Sequence, residues 1–256
     1  VRGRAEAVHF TVEGHDVDSA SAVVEASASG VSARQVVISR GAMRAAGWAR
    51  VGLDNWKAGE QTPIAGEITL QAPDAAAALA ELKRDEPVSG GPVVATATLS
   101  GTVGNPEAAG RVRATRLVAW KQPLTSVDAH FRYREGIIEL APALARAGNA
   151  EVRLAGSYEY KPGRASEGRA RFELSAPGVR LDALTAVTEQ HAGVAGRIEA
   201  QMKGDLNIAG GGVRVNALNG WAAVRDVALE KQQLGWMGVD AASDADHAKL
   251  TLDGRL

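Results

Sequence analysis

Cysteine is absent from the 256-residue chain, so the sequence excludes disulfide bonds and thiolate-ligated metal sites. Aromatic residues make up only 4% of the chain, so any apolar surface must be built mainly from Ala, Val, Leu and Ile. No apolar run approaches the ~18 residues that a membrane-crossing helix needs, and the longest lies near residues 75–80. The sequence therefore offers no disulfide framework, no thiolate metal site and no membrane-spanning helix from which to infer a function. The pattern of its strands is what remains to indicate one.

Neither sign of charge dominates, because 29 basic and 30 acidic residues give a formal net charge of -1. This balance gives no electrostatic reason to expect nucleic acid or an anionic membrane surface as a partner. The chain begins at Val1 without a Met and stops at Leu256, directly after the strand-like run Lys249–Leu252. We therefore expect residues 1–256 to be an internal fragment of a longer protein.

Glycine, by contrast, is abundant, and its 29 residues separate stretches in which apolar and polar side chains alternate. Alternation is strictest after Ser126, where Val127, Ala129, Phe131 and Tyr133 share one side and the residues between them are charged or His. Side chains alternate across a strand with period two, so this stretch predicts a strand with one dry face and one wet face.

The same alternation predicts strands along most of the chain, and the short polar connections between them favour antiparallel pairing. The predicted strands are Val8–Val12, Val23–Ser29, Val36–Ser39, Gly47–Trp56, Ile64–Leu70, Val93–Val103, Arg111–Trp120, Val127–Tyr133, Ile137–Leu140, Glu151–Tyr160, Arg169–Ser175, Arg197–Ile208, Val213–Ala217, Trp221–Leu229 and Lys249–Leu252.

Two stretches break the strand rhythm and are predicted to be short helices. The first, Asp74–Arg84, starts with a residue that can cap a helix N-terminus and has Leu79 and Leu82 three positions apart. The second is Asp182–Gln190. We therefore predict an all-β chain of antiparallel strands with two short interrupting helices.

An internal repeat is the strongest signal in the sequence. Ile68-Thr-Leu-Gln-Ala-Pro73 matches Phe172-Glu-Leu-Ser-Ala-Pro177 at a spacing of 104 positions, and both Ala-Pro pairs lead into a predicted helix. The approximate repeat units are 1–67, which is partial, 68–171 and 172–256. Because no linker separates them, one continuous sheet is favoured over separate domains.

Catalytic and metal-binding motifs are missing from the sequence. None of the five histidines has a second His four positions away, and Gly210–Gly212 is not followed by the Lys-Ser/Thr of a phosphate loop. We interpret His15–Asp18 and Asp244–His247 as solvated loops and Gly210–Gly212 as a hairpin turn. The sequence therefore predicts no catalytic residue, no metal site, no cofactor and no enzyme.

The dry face allows two interpretations that periodicity alone does not separate. It packs on a second sheet to make a sandwich core, or it is curled and lines an apolar groove. The candidate groove-lining residues are the apolar positions of four predicted strands. They are Val127, Ala129, Phe131, Tyr133, Val152, Leu154, Phe172, Leu174, Ile198, Ala200 and Met202.

Three stretches of the sequence resemble the repeats of a known protein family. Gly101-Thr-Val-Gly-Asn-Pro106 with Gly110 after it, then Val127-Asp-Ala-His-Phe131, then Leu154-Ala-Gly-Ser-Tyr158 are similar to the repeats of the TamB/AsmA-like family of bacterial envelope proteins. The resemblance covers nearly the whole chain. The second copy departs from it, with Asp205-Leu-Asn-Ile208 and a glycine triplet where the family pattern has Asn-Pro.

The resemblance implies an elongated antiparallel β-taco, a curled sheet whose apolar groove faces phospholipid acyl chains. It implies a place in the periplasm of a diderm bacterium, with an inner-membrane anchor outside this fragment. The implied function is to move phospholipid between the inner and outer membranes. The alternative is a scaffold or chaperone for the assembly and secretion of outer-membrane proteins, including autotransporters, with an outer-membrane barrel protein as partner.

Overall fold

The computed structural model describes residues 1–12, 15–81, 87–160, 163–164, 166–210, 212–230, 232–243 and 247–255. It is all-β, with 77% of residues in strands and an antiparallel, curled and unclosed sheet interrupted by short helices. The strands follow one another in sequence order, except that β6 pairs with β8. The fold class predicted from the alternation is confirmed.

Sixteen strands are assigned in the described ranges. They are β1 Arg2–Val12, β2 His15–Ser27, β3 Gly30–Arg40, β4 Met43–Gly52, β5 Ile64–Ala72, β6 Val88–Ser89, β7 Val93–Gly101, β8 Pro106–Ala119, β9 Gln122–Arg134, β10 Ile137–Ala147, β11 Ala150–Tyr160, β12 Gly168–Arg180, β13 Val194–Ala209, β14 Gly212–Leu229, β15 Gln232–Ser243 and β16 Ala248–Arg255. The helical segments are α1 Ala75–Glu81, a 3-10 helix Leu181–Ala183 and α2 Thr185–Thr188.

Several predicted boundaries are wrong in ways that have a physical cause. The strand predicted over Gly47–Trp56 ends at Gly52, because the chain turns at Asn55 and Trp56, both with positive φ. The strands predicted at Val213–Ala217 and Trp221–Leu229 are one strand, β14. The residues predicted to form the break, 218–220, pair regularly with β13, and a β-bulge lies instead at Asn216, inside the first predicted strand.

One strand was missed, and one predicted loop is wrong. β15 was not predicted at all, because Gly235 and Gly238 interrupt its alternation. His15–Asp18 is the start of β2 and not a loop. Asp18 Oδ2 there accepts a hydrogen bond of 2.7 Å from the backbone N–H of Gly41.

Some predicted features lie outside the described residues. They are the end of the first helix at 82–84, Gly211 of the glycine triplet, and Asp244 and Asp246.

Two prolines sit where a strand can tolerate them. The register between β10 and β11 shifts between Leu140 and Ala143, around Pro142, and the register between β12 and β13 shifts between Ala176 and Val179, around Pro177. Proline cannot donate to a ladder and is therefore confined to edges and bulges. Because bulges bend a strand and increase its twist, these positions contribute to the curl of the sheet.

The chain divides into two compact units. The first unit is Val1–Leu117 with His130–Glu135, and the second is Val118–Ala129 with Gly136–Leu256.

In the first unit, α1 lies against one end of the sheet. Ala78 of the helix packs with Met43, Ala72 and Val93. Asp74 caps the helix as predicted, because its Oδ1 accepts a 3.0 Å hydrogen bond from the backbone N–H of Ala77. The helix is also tied to β3 by an ion pair, with 2.7 Å between Arg40 Nε and Glu81 Oε2.

In the second unit, the 3-10 helix and α2 take the corresponding place. Leu184 packs on a buried cluster made by Ala150, Ala176 and Val179. The side chain of Gln122 in β9 holds this segment by its backbone: its Nε2 donates to the carbonyl of Ala183 at 3.0 Å, and its Oε1 accepts from Thr185 N–H at 2.9 Å. Each Ala-Pro pair of the sequence repeat therefore precedes a helix that covers one end of an apolar face.

Burial in the described residues is shallow. Most of the buried apolar residues are alanines, and none of the large side chains is fully buried. A sandwich core is normally close-packed with large, fully buried side chains from two sheets. The described strands instead belong to one sheet, which favours the curled interpretation over the sandwich.

The close approach of β13 and β14 at Gly220 can be tested by substitution. A Cβ at this position would lie 2.7 Å from Met202 Cα on β13, which is closer than real contacts allow. We predict that Gly220→Ala lowers the free energy of unfolding by about 2 kcal/mol, because backbone has to move. Chemical denaturation measures the change. Gly212→Ala in the same strand is the control, since its nearest atom would be 3.6 Å away. Equal effects of both variants would contradict the register.

Candidate functional site

An uncharged surface of the second unit runs over one face of strands β10–β16. Residues directly opposite in an antiparallel ladder share a face, and the register aligns Leu154 with Leu174, Leu174 with Met202 and Met202 with Gly220. The next row passes through Ala176, Ala200 and Ala222 in the same way. The apolar positions of successive strands are therefore in phase.

We call this surface the second apolar face. Its registered residues carry no charge. They include Ile138, Leu140, Ala143, Ala145, Val152, Leu154, Gly156, Tyr158, Phe172, Leu174, Ala176, Ile198, Ala200, Met202, Gly204, Leu218, Gly220, Ala222, Val224, Met237, Val239, Ala241, Ser243, Leu250 and Leu252.

The second apolar face is long enough to hold a lipid tail. Seven strands at ~4.8 Å spacing span about 29 Å across the sheet. One leaflet of a bilayer has a hydrocarbon depth of about 15 Å, half of a ~30 Å core. An acyl chain therefore fits within this one unit.

Large side chains on the second apolar face remain accessible. Ile138 and Leu154 are each 38% exposed and Met237 is 49% exposed, although each belongs to a strand with a neighbour on both sides. Strand pairing therefore leaves these side chains uncovered. The strand ends near Ala176 and Ala200 differ, because Leu184 and the buried cluster cover them.

The first unit carries a similar surface, the first apolar face, on β2–β5, β7 and β8. Its rows are also in phase: Ala45 lies opposite Leu70, and Leu70 lies opposite Ala95. The face consists of Val24, Ala26, Val31, Ala33, Val36, Ile38, Ala45, Gly47, Ala49, Val51, Ile64, Gly66, Ile68, Leu70, Ala72, Val93, Ala95, Ala97, Leu99, Ala108, Gly110, Val112 and Ala114. Arg40, opposite Met43, lies at its edge and is paired with the helix.

The residues predicted from sequence to line a groove fall into two groups. The register brings seven of them together on the second apolar face: Val152, Leu154, Phe172, Leu174, Ile198, Ala200 and Met202. The other four lie in β9. Val127 and Ala129 are half-buried in the second unit, and Phe131 and Tyr133 are half-buried in the first. The ring of Phe131 lies over Gly110, which belongs to the first apolar face.

Sequence reasoning missed the part of the second apolar face on β15. Met237, Val239 and Ala241 belong to it. Their spacing of two, with Asp240 between, was a usable signal, but the glycines around them obscured it. The whole first apolar face was also left out of the predicted site, although Ile64, Ile68 and Leu70 were assigned to a strand.

The opposite, polar face of the second unit carries cross-strand ion pairs. Lys203 Nζ lies 3.2 Å from Glu173 Oε1, its direct partner in the register, and Arg225 Nε lies 3.0 Å from Glu199 Oε2. Exposed pairs of this kind contribute little each. Their consequence here is that the charged groups are directed away from the second apolar face.

Asp205 is the centre of the best-connected network on the polar face. Its Oδ1 accepts hydrogen bonds of 2.9 Å from Arg169 Nε and 2.9 Å from Asn216 Nδ2, and Arg171 Nε lies 3.4 Å from Oδ2. Hydrogen bonds to the ionised carboxylate, first from Arg169 and then from Asn216, lower the pKa of Asp205 well below its usual value. The network joins β12, β13 and the bulge of β14.

Other kinds of site find no support in the described part of the chain. No group of three or more His, Asp or Glu side chains there could hold a metal ion. None of its helices has the length and apolar character required to cross a membrane.

No protein-family model matches the chain, and no match is found among curated proteins or solved structures.

Acid should weaken the Asp205 network, because the lowered pKa means that the network stabilises the ionised carboxylate. Because the folded-state pKa lies below the unfolded value of ~3.9, the network stabilises fully above that pH and is lost as the pH falls further. We predict that Asp205→Ala lowers the melting temperature at pH 7 and that the difference from wild type shrinks below about pH 4.

The control is Asp240→Ala, because Asp240 is exposed on the same face and has no ion-pair partner among the described residues. Thermal melts from pH 7 to pH 2.5 measure both variants. A difference for Asp205→Ala that stays constant over this range would contradict the network.

Proposed function

We propose that this chain is a section of a conduit in a bacterial periplasm that carries phospholipid acyl chains along an apolar groove between the inner and outer membranes. The observation that supports this most is the second apolar face, which is uncharged, in phase over seven strands and partly exposed. The resemblance of the repeats to the TamB/AsmA-like family supports the same function.

The chemistry of the face suits a hydrocarbon tail. Contact with an acyl chain needs apolar area and no directional polar groups, and each buried CH₂ contributes about 0.8 kcal/mol relative to water. A face of small and branched aliphatic side chains gives similar contacts at each strand. A tail can therefore shift from one strand to the next without meeting a charged side chain, which is what transport requires.

The position of the helices is compatible with this function. α1 and the 3-10/α2 segment each cover one end of the strands in their own unit, and the rest of each face is half-buried or exposed. An acyl chain running across the strands would pass beside these helices.

Photo-crosslinking tests the proposal directly. A photo-reactive amino acid at Leu154 or Val239, both on the second apolar face, should capture phospholipid when the purified chain is mixed with phosphatidylethanolamine/phosphatidylglycerol vesicles. Mass spectrometry identifies the adduct.

The matched controls are the neighbouring positions Arg153 and Asp240, which face the other way. Equal capture from both faces would contradict the proposal. Crosslinks to protein alone in envelope extracts would favour the alternative, a scaffold for outer-membrane protein assembly.

A charge on the part of the face away from the buried cluster should block lipid binding without unfolding the protein. Ala241 lies on the second apolar face between Gly220 and Leu250, and it is half-buried. We predict that Ala241→Asp costs about 1 kcal/mol or less, because water reaches the carboxylate, and that it abolishes lipid capture. Denaturation and extraction of fluorescent phospholipid from vesicles measure the two effects.

Two matched variants complete this test. Ala242→Asp, one residue along on the polar face opposite Lys249, should change neither property. Ala200→Asp should destabilise by about 3 kcal/mol or more, because Ala200 packs on the buried cluster below Leu184. If Ala241→Asp unfolds the protein as Ala200→Asp does, the face is a packed core at that level and the conduit is wrong there.

A further inference from the structure

The polar face of the first unit contains a hollow that the proposed function does not use. It has a volume of about 690 Å³ and lies on β3, β4 and β5 around the side chain of Trp48. Trp48 is 41% exposed and lies opposite Glu67 in the register. The volume falls in the range of about 300–1,000 Å³ that small-ligand sites occupy.

A β-bulge shapes the hollow. The register between β3 and β4 shifts between Ala33 and Val36, and Gln35 there has a φ of 50°. Non-glycine residues adopt this backbone region rarely, and such bulges concentrate next to binding sites. Gln35 and Trp48 both line the hollow. The bulge therefore lies beside the Trp48 ring at this depression in the sheet.

The polar groups around Trp48 have unused hydrogen-bonding capacity. Arg50 and Glu67 line the hollow and have no ion-pair partner among the described residues. Arg34, also in the lining, is partly compensated by Glu25, with 3.5 Å between Arg34 Nη2 and Glu25 Oε2. Donors and acceptors are therefore both present, and neither sign of charge dominates.

This combination selects a class of ligand. A phosphate or sulfate would be repelled by Glu67, and a cation would be repelled by Arg34 and Arg50. A sugar ring presents a C–H face that packs on an indole ring, and hydroxyl groups that both donate and accept. We propose that the hollow binds one ring of an uncharged saccharide, stacked on Trp48 and hydrogen-bonded by Arg50 and Glu67.

The test is a titration of the purified chain with chitotetraose, maltotetraose and cellotetraose, followed by ligand-observed NMR and calorimetry. We expect saturable binding of at least one tetrasaccharide. Trp48→Ala should weaken this binding at least ~10-fold, equivalent to ~1.4 kcal/mol. Glu67→Gln should weaken it by a smaller factor, because the amide keeps only part of the acceptor capacity.

The matched control is Trp221→Ala, because Trp221 is 39% exposed on the polar face of β14 in the other unit. It should leave binding unchanged. If Trp48→Ala disturbs folding in circular dichroism, Trp48→Phe and Glu67→Gln decide the outcome. The proposal is overturned if no tetrasaccharide binds saturably, if Trp221→Ala weakens binding as much as Trp48→Ala, or if inorganic phosphate competes for the same site.

Discussion

The structure depends on one constraint: apolar side chains must stay in phase from strand to strand along an antiparallel ladder. A slip of one residue would move the apolar set of a strand to the opposite face. Leu154, Leu174 and Met202 stay aligned, and so do Ala176, Ala200 and Ala222, because each extra residue is absorbed in a bulge. The apolar side chains therefore stay on the same face of the sheet even where a strand bends.

The composition of the chain follows from that arrangement. An exposed apolar face cannot gain much stability from deep burial, and the buried residues are mostly alanines. Stability must come from the ladder itself, from the helices that pack on Ala72 and Ala176, and from networks such as the one around Asp205. The same shallow burial leaves Ile138 and Met237 accessible to an apolar ligand.

Much of the fold could be predicted from the sequence, because period-two alternation is a direct consequence of strand geometry. Seven predicted site residues, from Val152 to Met202, lie on one face for this reason. β15 could not be predicted, because Gly235 and Gly238 supply no side chain to the pattern. The bulges were not predicted either: Asn216 lies inside the predicted strand Val213–Ala217, and in the structure it is an extra residue within β14.

Alternation also gave no information about which part of the face is covered. Ala200 and Ala241 look alike in sequence, yet only Ala200 packs on the buried cluster below Leu184. That difference depends on where the 3-10/α2 segment returns to the sheet, and Gln122 fixes this through two hydrogen bonds from a distant strand. Contacts between residues so far apart in sequence leave no local pattern.

The central claim is that the second apolar face is open and takes up an acyl chain. The absence of cysteine allows a direct measurement, because single cysteines can be introduced and spin-labelled one at a time at Val239, Asp240, Ala241 and Ala242. Paramagnetic resonance with vesicles present would report the contact of each label with lipid. The account predicts lipid contact at Val239 and Ala241 and none at Asp240 and Ala242. Labels at Val239 and Ala241 that are immobile and inaccessible, as in a packed core, would contradict it.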